Sequence, residues 1–373
     1  MKLCIVTHKV MKGDGQGRVN YEVAKEAIRR GHHVTLLASN VAPELQQSNQ
    51  VNWIFIPVKR WPTALIRHLV FSWRSGNWLN QHRSELNLVK VNGSITRAGS
   101  DVNAVHFVHS SWLRSPAHTS RLRRDLYGLY QWLVTTLNAH WEKKSFRQAK
   151  VVVAVSGKVK KELVDIGVPP ESIRVIVNGV DLQEFYPGVA DRKQLRLPEG
   201  VPLAFFAGDI RTPRKNLDTI LHALVQVPEL HLAVAGITEG SPYPQLAATL
   251  NVSERVHFLG YRRDLPEIMR AVDLFVFPSR YEACTLVLLE AMASGLPVIT
   301  ASTAGGAELV TPACGVVLSD PNDTQALAKE LSLLVSNPEK RKQMSQAAPM
   351  IAAQYSWEKM AQSYVDLFEE LIK

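Results

Sequence analysis

Residues Phe275–Val310 read FVFPSRYEACTLVLLEAMASGLPVITASTAGGAELV, and three local patterns follow one another in them. Phe275–Phe277 is apolar and β-prone, Pro278 and Ser279 interrupt it, and Leu286–Ala293 is dense in helix formers until Gly295 and Pro297 stop the helix. Val298–Thr300 then resumes as a strand. A strand, a helix and a strand in so short a span make a βαβ unit. In parallel sheets built from such units, ligands sit beyond the carboxyl ends of the strands, at a helix N-terminus. Glu282 and Glu290 flank that point. Eight helical residues would separate them by about 12 Å, a span comparable with sugar to ribose in a nucleotide sugar, and the free amides between them would suit a diphosphate. Taken alone, the two glutamates read equally as a first-turn dipole partner and a solvated helix glutamate.

The tail of the helix adds specificity. Ala291–Ile299, AMASGLPVI, together with the seven-residue gap between the glutamates, resembles the signature of the family 4 retaining glycosyltransferases of the GT-B fold. That resemblance implies an α/β protein of two Rossmann-like domains with parallel sheets facing a central cleft. The acceptor domain would span 1–185, with a helix at 356–373 crossing back onto it, and the nucleotide-sugar domain would span 186–355. It also implies that Glu290 grips the ribose hydroxyls and that Glu282 faces the donor sugar. Where the family places Gly-Phe-Gly after its first glutamate, this chain has Ala283, Cys284 and Thr285. The amides from Ala283 to Leu286 are still expected at the phosphates, beside a reshaped sugar pocket.

Other segments extend the resemblance. Gly208–Asn216, GDIRTPRKN, sets three cations before a helix expected at 217–227, which suits a diphosphate because charge and free amides point the same way. The family's Gly-Arg loop ending in Lys-Asn is matched with Asp209 in the usual arginine position, so Arg214 and Lys215 carry over and Arg211 is a candidate substitute. Tyr261 and Arg262 fall where the family holds the base through backbone groups. Near the N-terminus, the apolar Leu3–Thr7 leads into Lys12–Arg18, KGDGQGR, whose glycines permit close backbone approach. This loop resembles the family's glycine loop, placing Gly15, Gln16 and Gly17 near donor or acceptor, and also reads as a plain turn before a helix. Ala104–Val108 reads as a strand closed by His109, which in the resemblance sits beside the donor sugar. No acidic partner for it is visible nearby in sequence. The run from Val151 into Asn178-Gly179-Val180-Asp181 resembles the family's passage toward its second domain, with Asn178 at the ligand. Pro187–Pro202 has linker composition.

Composition sets the outer limits. At 373 residues two domains are expected. Three cysteines without CxxC spacing indicate a reducing compartment. With no signal peptide or long apolar run, a cytoplasmic protein is expected, peripheral on the membrane's inner face. The net charge of +9 is uneven: residues 1–181 carry +14 and the remainder −5. A basic first half points to an anionic partner. Two stretches concentrate it. Trp61–Arg83 interleaves tryptophans with arginines, in the manner of either a membrane-surface helix or a helix packed on the sheet. Arg114–Lys150 surrounds an apolar run with basic residues and contains a long helix.

The expected reaction is transfer of a sugar from a nucleoside-diphosphate sugar, UDP or GDP, to a glycan or lipid-linked acceptor. No cofactor and no metal are expected, since no Asp-x-Asp occurs, leaving Arg214 and Lys215 to stabilise the leaving group. A sugar-nucleotide 2-epimerase of the same fold would act without an acceptor. A non-catalytic sugar-nucleotide-binding protein and a nucleic-acid-binding protein are the other classes, although no nucleic-acid module is recognisable and no nucleic acid is expected.

Overall fold

The computed structural model describes Met1–Lys373. Its contacts divide the chain into two units, Met1–Gly179 with Trp357–Lys373, and Val180–Ser356.

The first unit is built on a seven-stranded parallel sheet. Its strands are β1 (Lys2–Val6), β2 (His33–Ala38), β3 (Val51–Phe55), β4 (Leu88–Asn92), β5 (Val102–Val105), β6 (Val151–Ala154) and β7 (Ile173–Val175), in the order β3-β2-β1-β4-β5-β6-β7. The central strands are buried almost throughout, which is why they read as apolar runs rather than alternating ones. The order reverses between β1 and β4, the point at which doubly wound sheets open a crevice.

Helix α1 (Gly15–Arg29) follows β1. Asp14 caps it, accepting from the Gly17 amide at 2.8 Å. Its apolar face (Val19, Val23, Ala24, Ala27) is buried. The C-terminal helix Trp357–Ile372 packs on α1, where Arg30 meets Asp366 at 2.6 Å and His32 meets Glu369 at 2.8 Å.

Helix α2 (Ala64–His82) settles the first tryptophan-bearing stretch as a packed helix: Phe71, Ser72, Ser75, Gly76 and Leu79 are buried, with Phe71 and Leu79 in a core that includes Cys4, Val6 and Val91. Strand β5 ends at Val105, three residues before the expected end, and His109 instead opens the short helix α3 (His109–Arg114). The expected long helix is α4 (Leu126–Gln148). Ser156 caps α5 (Gly157–Asp165), accepting from Val159.

The second unit repeats the plan with six parallel strands: β8 (Leu203–Ala207), β9 (His231–Ala235), β10 (Val256–Gly260), β11 (Leu274–Phe277), β12 (Val298–Ala301) and β13 (Gly315–Leu318), ordered β10-β9-β8-β11-β12-β13. Here the reversal lies between β8 and β11. Stacked Phe206 and Phe277, 5.5 Å apart, fill the layer beside it. Gly236 is forced by geometry, because a Cβ there would stand 2.4 Å from the Gly208 carbonyl oxygen. The segment with linker composition packs on this unit, Arg192 donating to the Ala271 carbonyl and to Asp273. Helix α6 (Leu217–Leu224) ends three residues before the expected Val227, and α7 (Leu286–Ala293) is the helix of the opening stretch.

Candidate active site

In the second unit a cavity of about 570 Å³ opens at the carboxyl ends of the strands, within the size range of nucleotide and cofactor sites. Arg211, Arg214 and Lys215 line it after β8, Tyr261 and Arg262 after β10, and Glu282, Cys284, Thr285, Leu286 and Glu290 line it around the start of α7. Ten residues singled out in the sequence thus meet at one site, on three separate loops. Ala283 is buried and does not line the cavity.

The focus of the site is an ion cluster. Arg214 Nη1 donates to Glu282 Oε1 at 3.0 Å and Lys215 Nζ donates to the same oxygen at 2.5 Å. Lys215 Nζ also lies 5.2 Å from the centre of the Phe277 ring. Burial pulls the Lys215 pKa below its ordinary value, and Glu282 opposes that pull. Two cations on one carboxylate oxygen leave positive charge over, and that excess faces the cavity.

Several residues that sequence reading missed hold this cluster in place. Asn216 adopts a left-handed backbone, φ 66°, and its amide donates to the carbonyls of Pro278 and Pro321 at 2.8 and 2.6 Å. Arg280 pairs with Asp218 at 2.6 Å and donates to the Pro213 carbonyl at 2.7 Å. The loop after β11 is thereby fastened to the loop after β8. On its other side, the Thr285 amide donates to Gly305 O at 2.8 Å and the Gly305 amide to Glu282 O at 2.9 Å. Local sequence carries no signal for these links, because each joins residues some 20 to more than 100 positions apart.

Three expectations change. Glu282 lies before α7, which starts at Leu286, so the glutamates are not joined by eight helical residues. Glu282 sits in a loop where two cations claim it, and only Glu290 is helical. Arg211 does not replace the missing loop arginine as a free cation: Asp209 holds it at 2.9 Å. The Thr285 amide, expected at the phosphates, is spent on the Gly305 carbonyl. Arg262 pairs with Asp264 through its side chain and Tyr261 is exposed at the rim, and neither bears on the backbone contact expected for the base. Thr285, where the family has glycine, buries a hydroxyl that has no hydrogen-bond partner, an unmet group in the cavity wall.

The first unit holds a second, smaller cavity of about 220 Å³. His8, Gln16, His68, Asn92, His106 and His109 are among its lining. Gln16 is therefore at a cavity, whereas Gly15 and Gly17 are not in its wall; Gly17 is packed against Met11 and Asp14 of its own loop. Asn178 is buried at the end of this unit, apart from that lining. His109 does have an acidic partner, contrary to the sequence reading. Glu142, from α4, accepts from His109 Nδ1 at 2.9 Å, from the His109 amide at 3.0 Å and from the Ser110 amide at 2.9 Å. A buried glutamate 33 residues away thus fixes the ring and leaves its Nε2 edge for another group. Burial holds His8 and His68 down at about 4 and His106 at about 3. At neutral pH these three are uncharged imidazoles, suited to hydroxyl groups.

Comparison with known proteins agrees with this geometry. Residues 13–184 match the family described as Glycosyltransferase Family 4, and residues 189–350 match Glycosyl transferases group 1. Among curated relatives, the D-inositol 3-phosphate glycosyltransferase of Mycobacterium marinum is 37% identical over 213 residues, 53% of this chain and 45% of that protein. The Salinispora tropica protein of the same name is 29% identical over 256 residues, 62% of this chain and 53% of its own length. The chain thus matches about half the length of these relatives. Among solved structures, sucrose-phosphate synthase from Thermosynechococcus elongatus superposes with a TM-score of 0.80 at 20% identity, covering 99% of this chain and 98% of that one. WaaG, involved in lipopolysaccharide biosynthesis, gives 0.77 at 22%, covering 98% and 99%. Anabaena HepE in complex with UDP-glucose gives 0.73 at 21%, covering 99% and 100%. The two matched segments, the paired parallel sheets and the shared fold agree, and the chain belongs to the family 4, group 1 glycosyltransferases of the GT-B fold.

Proposed function

We propose that this protein is a retaining glycosyltransferase that moves a sugar from a nucleoside-diphosphate sugar to a hydroxyl of a glycan or lipid-linked acceptor. The observation that carries the reading is the convergence of Arg214 and Lys215 on Glu282 in a cavity that α7 enters with its N-terminus. A diphosphate needs concentrated positive charge, and this site sets Arg214 and Lys215 beside the N-terminus of a helix, whose dipole adds to theirs. A UDP donor is favoured over GDP because HepE, of the same fold, binds UDP and UDP-glucose.

In the proposed reaction the bond between the anomeric carbon and the phosphate oxygen breaks, its electron pair leaving with the diphosphate. The acceptor oxygen bonds to the anomeric carbon on the face the leaving group vacates, and its proton passes to the departing phosphate, so configuration is retained. Arg214 and Lys215 stabilise the growing charge on the diphosphate in place of a metal clamp. Glu290 binds the ribose and Glu282 positions the sugar, and in the first unit His109 offers its Nε2 to a sugar hydroxyl. The neutral histidine cavity suits an uncharged, hydroxyl-bearing part of the acceptor. The basic first half suits an anionic membrane surface as the place where a lipid-linked acceptor is met.

A thermal-shift screen with UDP, GDP, ADP and their sugar conjugates, with and without EDTA, tests the donor site. One nucleotide should raise the melting temperature equally in both conditions. No shift with any of them, or a shift abolished by EDTA, would overturn the metal-independent donor site. Turnover of the stabilising sugar nucleotide with no acceptor, giving an epimer, would overturn the transferase assignment.

A further inference from the structure

The start of α4 carries an exposed apolar face that the reaction does not use. The helix buries Gly128, Thr135, Ala139, Glu142 and Phe146, which recur at helical spacing and define its inward side. On the outward side of the first two turns, Leu126 is 86% exposed, Leu129 62% and Trp132 46%, with Tyr127, Leu133 and the preceding Leu122 also exposed. A patch of this density on a soluble surface marks a contact site. The turn before the helix is held against it, since a Cβ on Gly128 would stand 1.9 Å from the Arg123 carbonyl oxygen. Leu122 and the helix face are therefore carried by one packed piece of structure.

The charge around the patch selects its occupant. Arg114, Arg121, Arg123 and Arg124 are all exposed. The nearby carboxylate, Asp125, caps α4 and pairs with Arg123 at 2.6 Å. Arg114, Arg121 and Arg124 have no ion-pair partner. Leucines flanked by arginines, with a tyrosine and a tryptophan among them, match the interface of an anionic bilayer, where acyl chains take the leucines, headgroups take the guanidinium groups, and Trp and Tyr sit between. A nucleic acid would leave four leucines uncovered.

We infer that Leu122, Leu126, Leu129, Trp132 and Leu133, rimmed by Arg121 and Arg124, form the surface by which this protein docks on an anionic lipid bilayer. The inference deepens the membrane reading of the proposed function and places the contact on α4 rather than on the tryptophan-bearing α2.

The test is flotation of the full chain with phosphatidylcholine vesicles containing 30% phosphatidylglycerol, against phosphatidylcholine alone, at low and at physiological salt. The wild type should float with anionic vesicles and show a blue-shifted tryptophan emission. Leu126→Ser/Leu129→Ser/Trp132→Ser should lower partitioning at least tenfold. Arg121→Glu/Arg124→Glu should do the same at low salt and flatten the salt dependence. Trp73→Ser, on an exposed position of α2, should leave partitioning unchanged. Every substituted side chain is exposed, so the nucleotide-induced thermal shift should survive in all variants. This keeps a failure of docking separate from a failure of the donor site. Wild-type protein that does not float, or a triple variant that floats like wild type, would overturn the inference. Concentration-dependent dimers in light scattering that the triple variant abolishes, without vesicle binding by the wild type, would assign the patch to a second copy of the chain and overturn it equally.

Discussion

Replacing Lys215 with Met tests the chemistry of the donor site most directly. Met keeps most of the aliphatic stem that packs beside Gly208 and Phe277 and removes only the charge. The Lys215 side chain is 15% exposed and its Nζ lies 2.5 Å from Glu282, with Arg214 3.0 Å from the same oxygen. A phosphate charge arriving about 4 Å from Nζ would interact with it by about 4 kcal/mol at an effective dielectric constant of about 20. Arg214 remains in the variant and recovers part of this, leaving a loss of about 2–3 kcal/mol, or roughly 30- to 150-fold in affinity. Calorimetric titration with the nucleoside diphosphate found in the thermal screen measures it. Lys215→Arg should recover part of the loss and Arg214→Met/Lys215→Met should lose more than either single variant. If Lys215→Met binds within threefold of wild type and turns over normally, the ion cluster is structural and the assignment of these cations to the diphosphate fails.

Three other changes probe separate parts of the molecule. Glu142→Gln should lower turnover about 10- to 100-fold with little change in nucleotide affinity, because it loosens the His109 ring; an unaltered His109 tautomer by nitrogen NMR, with unaltered turnover, would remove the positioning role. Lys90 is buried in β4, where its ammonium meets Asn20, Asn92 and the Tyr364 ring and no carboxylate is among these partners, and burial lowers its pKa from 10.5 to about 7. A lowered lysine pKa means that the unfolded chain binds more protons between pH 7 and 10.5, so this residue should add stability as pH rises through that window, by about 5 kcal/mol in all. Lys90→Met should cancel that rise in urea unfolding measured from pH 6.5 to 10, and parallel curves for the two proteins would disprove it. Gly236→Ala should destabilise the second unit by about 2–4 kcal/mol, since its methyl group meets backbone and not a movable side chain; an unchanged melting temperature would contradict the packing of β8 against β9.

Much of this protein was legible in one dimension. The βαβ reading of Phe275–Val310, the strands of both sheets and the capped helices rest on local pattern: apolar runs, a capping residue, a stop at Gly or Pro. These act over a few residues, and the neighbouring sequence contains all the information they need. The gathering of Arg214, Lys215, Glu282, Cys284, Thr285 and Glu290 into one cavity was legible for a different reason. In a parallel α/β sheet every strand ends on the same edge, so residues following β8 and β11 must share that edge.

Where the charges would settle was decided only in three dimensions. Whether Glu282 would sit on the helix or before it depended on hydrogen bonds to Thr303 and Gly305. Whether Arg211 would stand in the cavity as a free cation depended on Asp209 reaching it. Glu142 became the partner of His109 because α4 packs its buried face beside the start of α3, and no pattern along the chain connects residues 33 apart. The same packing left one end of α4 uncovered. Local sequence sets which residues can pair, but the free energy of a charge depends on its burial and on the groups within a few ångströms, and those are properties of the folded surface.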